Sequence, residues 1–309
     1  PHEIINKSGA EVLRLWAAAV DYTEDVRCSD EILSRVVDAY RKFRNTLRYT
    51  LGNLDGFDSK TDAVSTDAML EIHRWALANL DQVTEKVLQG YQNYDFQSAY
   101  NALYHFCTVT LSARYFDIIK DRLYIMAPKS KERRSAQTAL YRITDSLCRL
   151  LSPILAFTTD EAWENLPGQD VASVHIAEFP KAEAADHSAL MAAWDRLFAI
   201  RDEVLKALEE ARNAKQIGSS LEAKVVLTTD AETTRFLLNY FEELRYLFIV
   251  SQVEVHEGDA LKVEIRKADG SKCERCWNYS VRVGEFEKYP TVCERCIEAL
   301  GEIEKAAAA

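Results

Sequence analysis

The sequence predicts a mainly α protein: an antiparallel bundle of long helices, then a small α+β module, then a short module gathered around cysteines. Three observations carry this reading. Apolar residues recur with helical period over roughly the first 215 positions. The period then shortens to that of strands. Finally, KCERCWNYSVRVGEFEKYPTVCERC, residues 272–296, holds four of the seven cysteines as two C-x-x-C pairs sixteen residues apart.

SGAE at 8–11 reads as a capping box, with Ser8 as N-cap and Glu11 at N3, opening a helix through Leu13, Leu15 and Trp16. SDE at 29–31 caps the next helix. Its apolar positions Ile32, Leu33, Val36, Val37, Tyr40, Phe43, Leu47 and Leu51 form one stripe that ends at Gly52-Asn53. A third helix is expected from about Thr66 to Gly90, a fourth from Asp95 past Tyr115, and a fifth over 131–151, where Ser152-Pro153 breaks it. TTDEAWENL then recaps a short helix at Thr159. Long helices with short connections make an antiparallel bundle. The stretch 171–188 loses the period and marks a boundary. A long amphipathic helix follows from Ala189 to near Gly218. AKVVLTT reads as a strand, TTRFLLNYFEELRYL as a helix, and FIVSQVEVHEG and LKVEIRKADG as two more strands. The expected organisation is 1–21 as a lead-in, 22–180 as the helical domain, 181–265 as a long helix with an α+β junction, and 266–309 as the cysteine module.

The C-x2-C…C-x2-C spacing suits one tetrahedral zinc ion, each tight turn bringing two thiolates to the metal. Cys273, Cys276, Cys293 and Cys296 are the expected ligands of a structural Zn2+. The alternative, two disulfides, needs an oxidising compartment, and nothing else in the sequence points to one. Cys107 and Cys148 sit in apolar helical patterns as small buried thiols. Four cysteines close the coordination sphere, leaving no position for an activated water. No phosphate-binding glycine loop or nucleophile elbow is present, and the six histidines show no metal-ligand spacing. No catalytic residue is assigned.

The net charge of −11 argues against a general affinity for nucleic acid. Two basic islands depart from that average. Residues 35–48 carry five basic and one acidic side chain, and residues 120–149 carry eight and three. Each alone is read as a solvated face; two together in an acidic chain favour a localised polyanion site. Arg41, Arg44 and Arg48 fall at helical spacing, and Lys129, Lys131, Arg133 and Arg134 supply further charge. Trp277, directly after the first C-x-x-C, is either the hydrophobic plug of a module short of core or a stacking platform for a nucleotide. No run approaches the length that spans a bilayer, and the start, PHEIINKSGAEVLRLW, has neither Met nor a signal-peptide layout. A fragment of a soluble cytoplasmic protein, monomeric and without a membrane partner, is the expectation.

Several stretches resemble one family. VDYTEDVRCSDEILSRVVDAYRKFRNTLRYTLGNLDGFD is similar to the start of the anticodon-binding domain of bacterial isoleucyl-tRNA synthetases, class I enzymes. LSPILAFTTDEAWENLPG resembles that domain's end, ARNAKQIGSSLEAKV the junction after it, and SKCERCWNYSVRVG with CERC the family's C-terminal zinc module. IINKSGAEVLRLWAAAVDY resembles the stretch just after the family's KMSKS loop. The helical part is shared in outline with valyl, leucyl, methionyl and cysteinyl synthetases, whereas the four-cysteine module after this junction points to isoleucine. The resemblance implies a parent enzyme that ligates isoleucine to tRNA with ATP in a catalytic domain outside these residues, this part gripping the anticodon stem-loop of tRNA(Ile) and being inactive alone. Two rivals stand beside it: the same domain of a sister synthetase, and a helical protein adapter stiffened by a zinc staple.

Overall fold

The computed structural model describes residues 1–183 and 185–308. They form two compact units, Pro1–Phe116 with Lys131–His187, and Asp117–Ser130 with Ser188–Ala309.

The first unit is helical. α1 (His2–Ser8) and α2 (Ala10–Ala19) meet at Gly9, whose φ of 86° turns the chain between them. α3 (Asp30–Gly52) starts as the sequence predicts, with the Ser29 side chain accepting from the Ile32 N–H. α4 (Glu71–Gln92) follows a short 3-10 turn at Thr66–Ala68 and packs against α5 (Phe96–His105), which Asp95 caps through the Ser98 N–H. They come close at Gly90, where a Cβ would stand 2.9 Å from the Asp95 carbonyl oxygen. Past α5 the helix widens to π geometry over Phe106–Tyr115 and continues as α6 (Phe116–Tyr124) into the second unit. α7 (Lys131–Leu151) and α8 (Ala156–Glu164) return to the first unit. Phe43, Ile72, Trp75, Leu103, Leu111, Leu147 and Trp163 fill its core. Cys107 and Cys148 are buried there, and burial pushes both thiols up to about 12.

The expected capping box at 8–11 does not form. Ser8 is the last residue of α1, and Glu11 points away from its own helix start. Its buried carboxylate accepts from the backbone N–H of Phe157 at 2.8 Å and of Thr158 at 3.0 Å, and from the Thr158 hydroxyl. A side chain 146 residues away thus supplies the cap that α8 lacks locally, and α8 opens at Ala156 where the sequence predicts a start at Thr159. Tyr40 joins the same knot, its hydroxyl 2.9 Å from that of Thr158. Replacing Glu11 with Ala should therefore leave α8's N–H groups buried without a partner. The expected cost is about 2 kcal/mol, a fall of about 4–8 °C in the melting midpoint followed by circular dichroism.

The second unit opens with α9 (Ser188–Asn213). β1 (Ala223–Thr229) is the middle strand of a sheet ordered β2-β1-β3, parallel to β2 (Gln252–Glu257) and antiparallel to β3 (Lys262–Lys267). Val225 faces Val253 on one side and Ile265 on the other. The one helix expected between β1 and β2 is two, α10 (Ala231–Asn239) and α11 (Phe241–Phe248), broken at Tyr240. β4 (Ser271–Lys272) and β5 (Tyr279–Ser280) pair antiparallel, and α12 (Glu294–Ala307) closes the chain. Gly270, at φ 85°, lies where a Cβ would meet the Ser280 carbonyl oxygen at 2.2 Å, so this hairpin tolerates no side chain there. Among the described residues no helix is long and apolar enough to cross a membrane.

Candidate metal centre and nucleic-acid interface

The four cysteines of the C-terminal module converge. Cys273 and Cys276 lie on the knuckle between β4 and β5, Cys293 is the N-cap residue of α12, and Cys296 sits in that helix's first turn. The knuckle is closed by two backbone bonds, Trp277 N–H to the Cys273 carbonyl at 2.9 Å and Cys273 N–H to the Asn278 carbonyl at 2.8 Å. The Cys293 N–H donates to the Cys273 sulfur at 3.3 Å, and Arg275 donates to the Cys296 sulfur at 3.5 Å. All four Sγ atoms fall within 4.8 Å of one another, with Cys273–Cys296 at 3.7 Å and Cys276–Cys293 at 3.6 Å. A tetrahedron with metal–sulfur bonds of about 2.3 Å has edges of about 3.8 Å, so the set fits one zinc-sized ion. Disulfides would need sulfur pairs about 2 Å apart.

The surroundings favour charge on one sulfur, that of Cys276. Cys293 and Cys296 set the N-terminus of α12 beside the cluster, where the helix dipole favours negative charge. Hydrogen bonds from Cys293 and then Cys296 hold the Cys276 thiol well below its ordinary range, while the same sharing pushes Cys293 and Cys296 up. All four are buried, with Val292 among them and Ile125, Val283, Tyr289, Ile297 and Leu300 packed around. Among the described residues no other cluster of His, Cys, Asp and Glu comes together this way.

Trp277 is not part of that core. The residue is 60% exposed, with Lys272 Nζ 5.2 Å from the ring centre. It lines a cavity of about 480 Å³ in the second unit, with Tyr124, Ile249, Tyr246 and Asn278. Both Trp277 and Ile249 adopt positive φ, 65° and 57°, a conformation bulky side chains avoid. At Trp277 the cause is visible: the chain must reverse there for Asn278 to receive the Cys273 N–H. Around the cavity, three guanidiniums, of Arg122, Arg245 and Arg295, surround the Tyr246 ring, balanced by Glu243 on Arg122 and Asp121 on Arg295. No motif or spacing in the sequence marks Arg122, Arg245, Arg295 and Tyr246 as a group.

The basic islands differ in their partners. Arg41, Arg44 and Arg48 lie along the exposed side of α3. Arg41 pairs loosely with Asp38 at 3.3 Å. Arg44 makes a two-pronged bridge to Glu161 of α8, at 2.8 and 3.1 Å, which raises the guanidinium's affinity for its proton and holds the carboxyl below its usual range. Arg48 has no ion-pair partner among the described residues. Lys131, Arg133 and Arg134 occupy the first turn of α7. Arg134 turns inward, donating to Gln137 at 2.7 Å and to Asp62 at 3.1 Å, and Arg133 is half-buried, its ionisation disfavoured by burial and then by Arg134. Lys129 is exposed and belongs to the second unit.

Residues 73–227, half of the chain, match the family model for the anticodon-binding domain of tRNA ligase. The chain belongs to this anticodon-binding domain family. Residues 270–299 match a second model, the zinc finger found in FPG and IleRS, on the segment that gathers the four cysteines. The isoleucine-tRNA ligase of Syntrophotalea carbinolica is 48% identical over 97% of this chain and 34% of that protein. That of Geobacter sulfurreducens is 46% identical, with the same shares. The resemblance drawn from the sequence is thus borne out, and the chain spans about a third of the length of the curated relatives it matches. Among solved structures, the ternary complex of Agrobacterium radiobacter K84 agnB2 LeuRS-tRNA-LeuAMS aligns at a TM-score of 0.45 and 13% identity, over 85% of this chain and 29% of that one.

Proposed function

We propose that this anticodon-binding domain and its zinc module form the tRNA-gripping part of an isoleucine-tRNA ligase. The observation that carries the reading is the succession, in one chain, of an anticodon-binding domain and a four-cysteine segment that matches the zinc finger found in FPG and IleRS. On this reading the whole enzyme, a cytoplasmic monomer, joins isoleucine to tRNA(Ile) with ATP, and these residues hold the anticodon stem-loop. One Zn2+ on Cys273, Cys276, Cys293 and Cys296 is structural, since four thiolates leave it no open position. The metal supplies rigidity; the contacts to RNA come from the chain's own side chains.

An anticodon loop presents unstacked bases, which proteins meet with aromatic faces and base-edge hydrogen bonds, beside phosphates met by Lys and Arg. Trp277 supplies an aromatic face. Arg41, Arg48, Lys129 and Lys131 supply exposed charge, while Arg44 is tied to Glu161 and Arg133 and Arg134 are drawn into the protein. Filter retention of tRNA at rising salt tests the grip, because an adapter that binds only protein would show none. Arg48→Ala should lower the slope of log affinity against log salt by about one unit. An unchanged slope would return Arg48 to the solvated face. Competition among purified tRNAs then tests isoleucine against its sister acceptors: tRNA(Ile) should displace bound tRNA at the lowest concentration.

A further inference from the structure

The cavity beside Trp277 reaches the cysteine cluster, and of the four cysteines only Cys276 lines it. Cys276 is 7% exposed, against 2% for Cys293 and 0% for Cys273 and Cys296. The cavity walls are largely apolar, from Ile118, Ile125, Leu221 and Val250. Its cations are already committed, Lys120 to Asp117, Arg295 to both oxygens of Asp121 at 2.6 and 3.0 Å, and Arg245 to the Tyr246 hydroxyl at 2.7 Å. An uncharged molecule of a few atoms is therefore the visitor these walls suit.

Hydrogen bonding does not rank the four sulfurs. Cys273 accepts from the Cys293 N–H, Cys276 from the Asn278 N–H, Cys293 from the Cys296 N–H, and Cys296 from Arg275. Access does rank them. Coordination to a metal would keep all four as thiolates, the nucleophilic form, so the one that an oxidant can reach reacts first. A second thiolate is in place beside it, because the Cys293 sulfur lies 3.6 Å from that of Cys276, while Cys273 and Cys296 make a separate close pair at 3.7 Å.

We propose that Cys276 is the site at which hydrogen peroxide modifies this module, with Cys293 as its resolving partner. The inference rests on the zinc assignment above. The Cys276 thiolate attacks one peroxide oxygen. An S–O bond forms, the O–O bond breaks, and the departing hydroxide is protonated by solvent to water, leaving Cys276 as a sulfenic acid. The Cys293 thiolate then attacks the Cys276 sulfur. The S–S bond forms as the S–O bond breaks, and a second hydroxide leaves and is protonated. The two sulfurs lose two electrons and the peroxide gains them. To bond, the sulfurs close from 3.6 Å to about 2 Å. Cys273 and Cys296 alone then leave the ion half its ligands, so oxidation releases the metal and with it the fold of the module.

The test uses the whole chain, purified without chelator, in a Cys28→Ser background that removes its one exposed cysteine. Substoichiometric hydrogen peroxide is added with dimedone, which traps sulfenic acids, and the adducts are mapped by mass spectrometry. A parallel sample without dimedone reads disulfides by peptide mapping and released zinc by a metallochromic dye. The first adduct should fall on Cys276 and the first disulfide should join Cys276 to Cys293, with zinc released in proportion and rebound after reduction by dithiothreitol. Leu221→Trp, which narrows the cavity, should slow the release several-fold, with zinc content before oxidation and the circular dichroism spectrum unchanged. A first adduct on Cys273, Cys293 or Cys296, a first disulfide of any other pairing, or an unslowed release from folded Leu221→Trp overturns the assignment. Zinc held against excess peroxide also overturns it and leaves the zinc reading standing. A chain that carries no zinc before peroxide is added overturns both.

Discussion

Removing the metal is expected to unfold residues 270–299 while the first unit keeps its helices. The module has almost no core of its own. Its buried residues are the four cysteines, Val292 and Ala299, and its strands β4 and β5 are two residues each. So short a segment cannot offset the entropy of ordering its chain by burial alone. Metal binding to four thiolates supplies of the order of 10 kcal/mol or more in zinc-finger peptides. The first unit draws on its own core of buried Trp, Phe and Leu side chains. Elemental analysis of chain purified without chelator should give one zinc per molecule. Chelation should then release the metal, expose the four thiols to a colorimetric reagent, and change the far-ultraviolet signal only by the small share of α12 and the hairpin. Cys296→Ser should reproduce the apo state. An absence of stoichiometric zinc, or a module that stays protected from proteolysis after chelation, would sink the metal assignment.

What could be read from the sequence, and what could not, follows the range of the interactions involved. The α3 cap at Ser29, the α5 cap at Asp95, the span of α7 and the three sheet strands are local matters of capping chemistry and period, and each was legible. The cysteine spacing was equally local. The cap of α8 was not, because its acceptor, Glu11, lies far away in sequence, and SGAE satisfied a local rule that the fold overrode. The π segment at Phe106–Tyr115 also escaped: a one-residue change in hydrogen-bond partner scarcely alters the apolar stripe. In the basic islands, charge was legible but partners were not. Arg134 is committed to Asp62 and Gln137, whereas Arg48 is open, and nothing in RVVDAYRKFRNTLR or KSKERR separates the two kinds. The arginine cage around Tyr246 draws on α6, α11 and α12, which only the folded chain assembles.

Trp277→Ala should weaken tRNA binding by about 10- to 100-fold with zinc content and helicity unchanged, and Trp277→Phe should keep much of the affinity. A base stacked on an aromatic side chain is worth about 1–3 kcal/mol, which sets that range. The structure separates this outcome from the alternative in which the indole plugs the module. A plug would be buried, and Trp277 is 60% exposed while the cysteines, Val292 and their neighbours make the core without it. The backbone supports the comparison too. Position 277 is held at φ 65° by the knuckle's own hydrogen bonds, so Trp, Phe and Ala bear the same conformational cost there. Differences among the three then report on the ring. Lys272, 5.2 Å from the ring centre, keeps a cation beside the platform in every variant. Loss of zinc in the Ala variant would reinstate the plug. Full tRNA affinity with zinc retained would make the knuckle a staple only, with the exposed indole serving neither role.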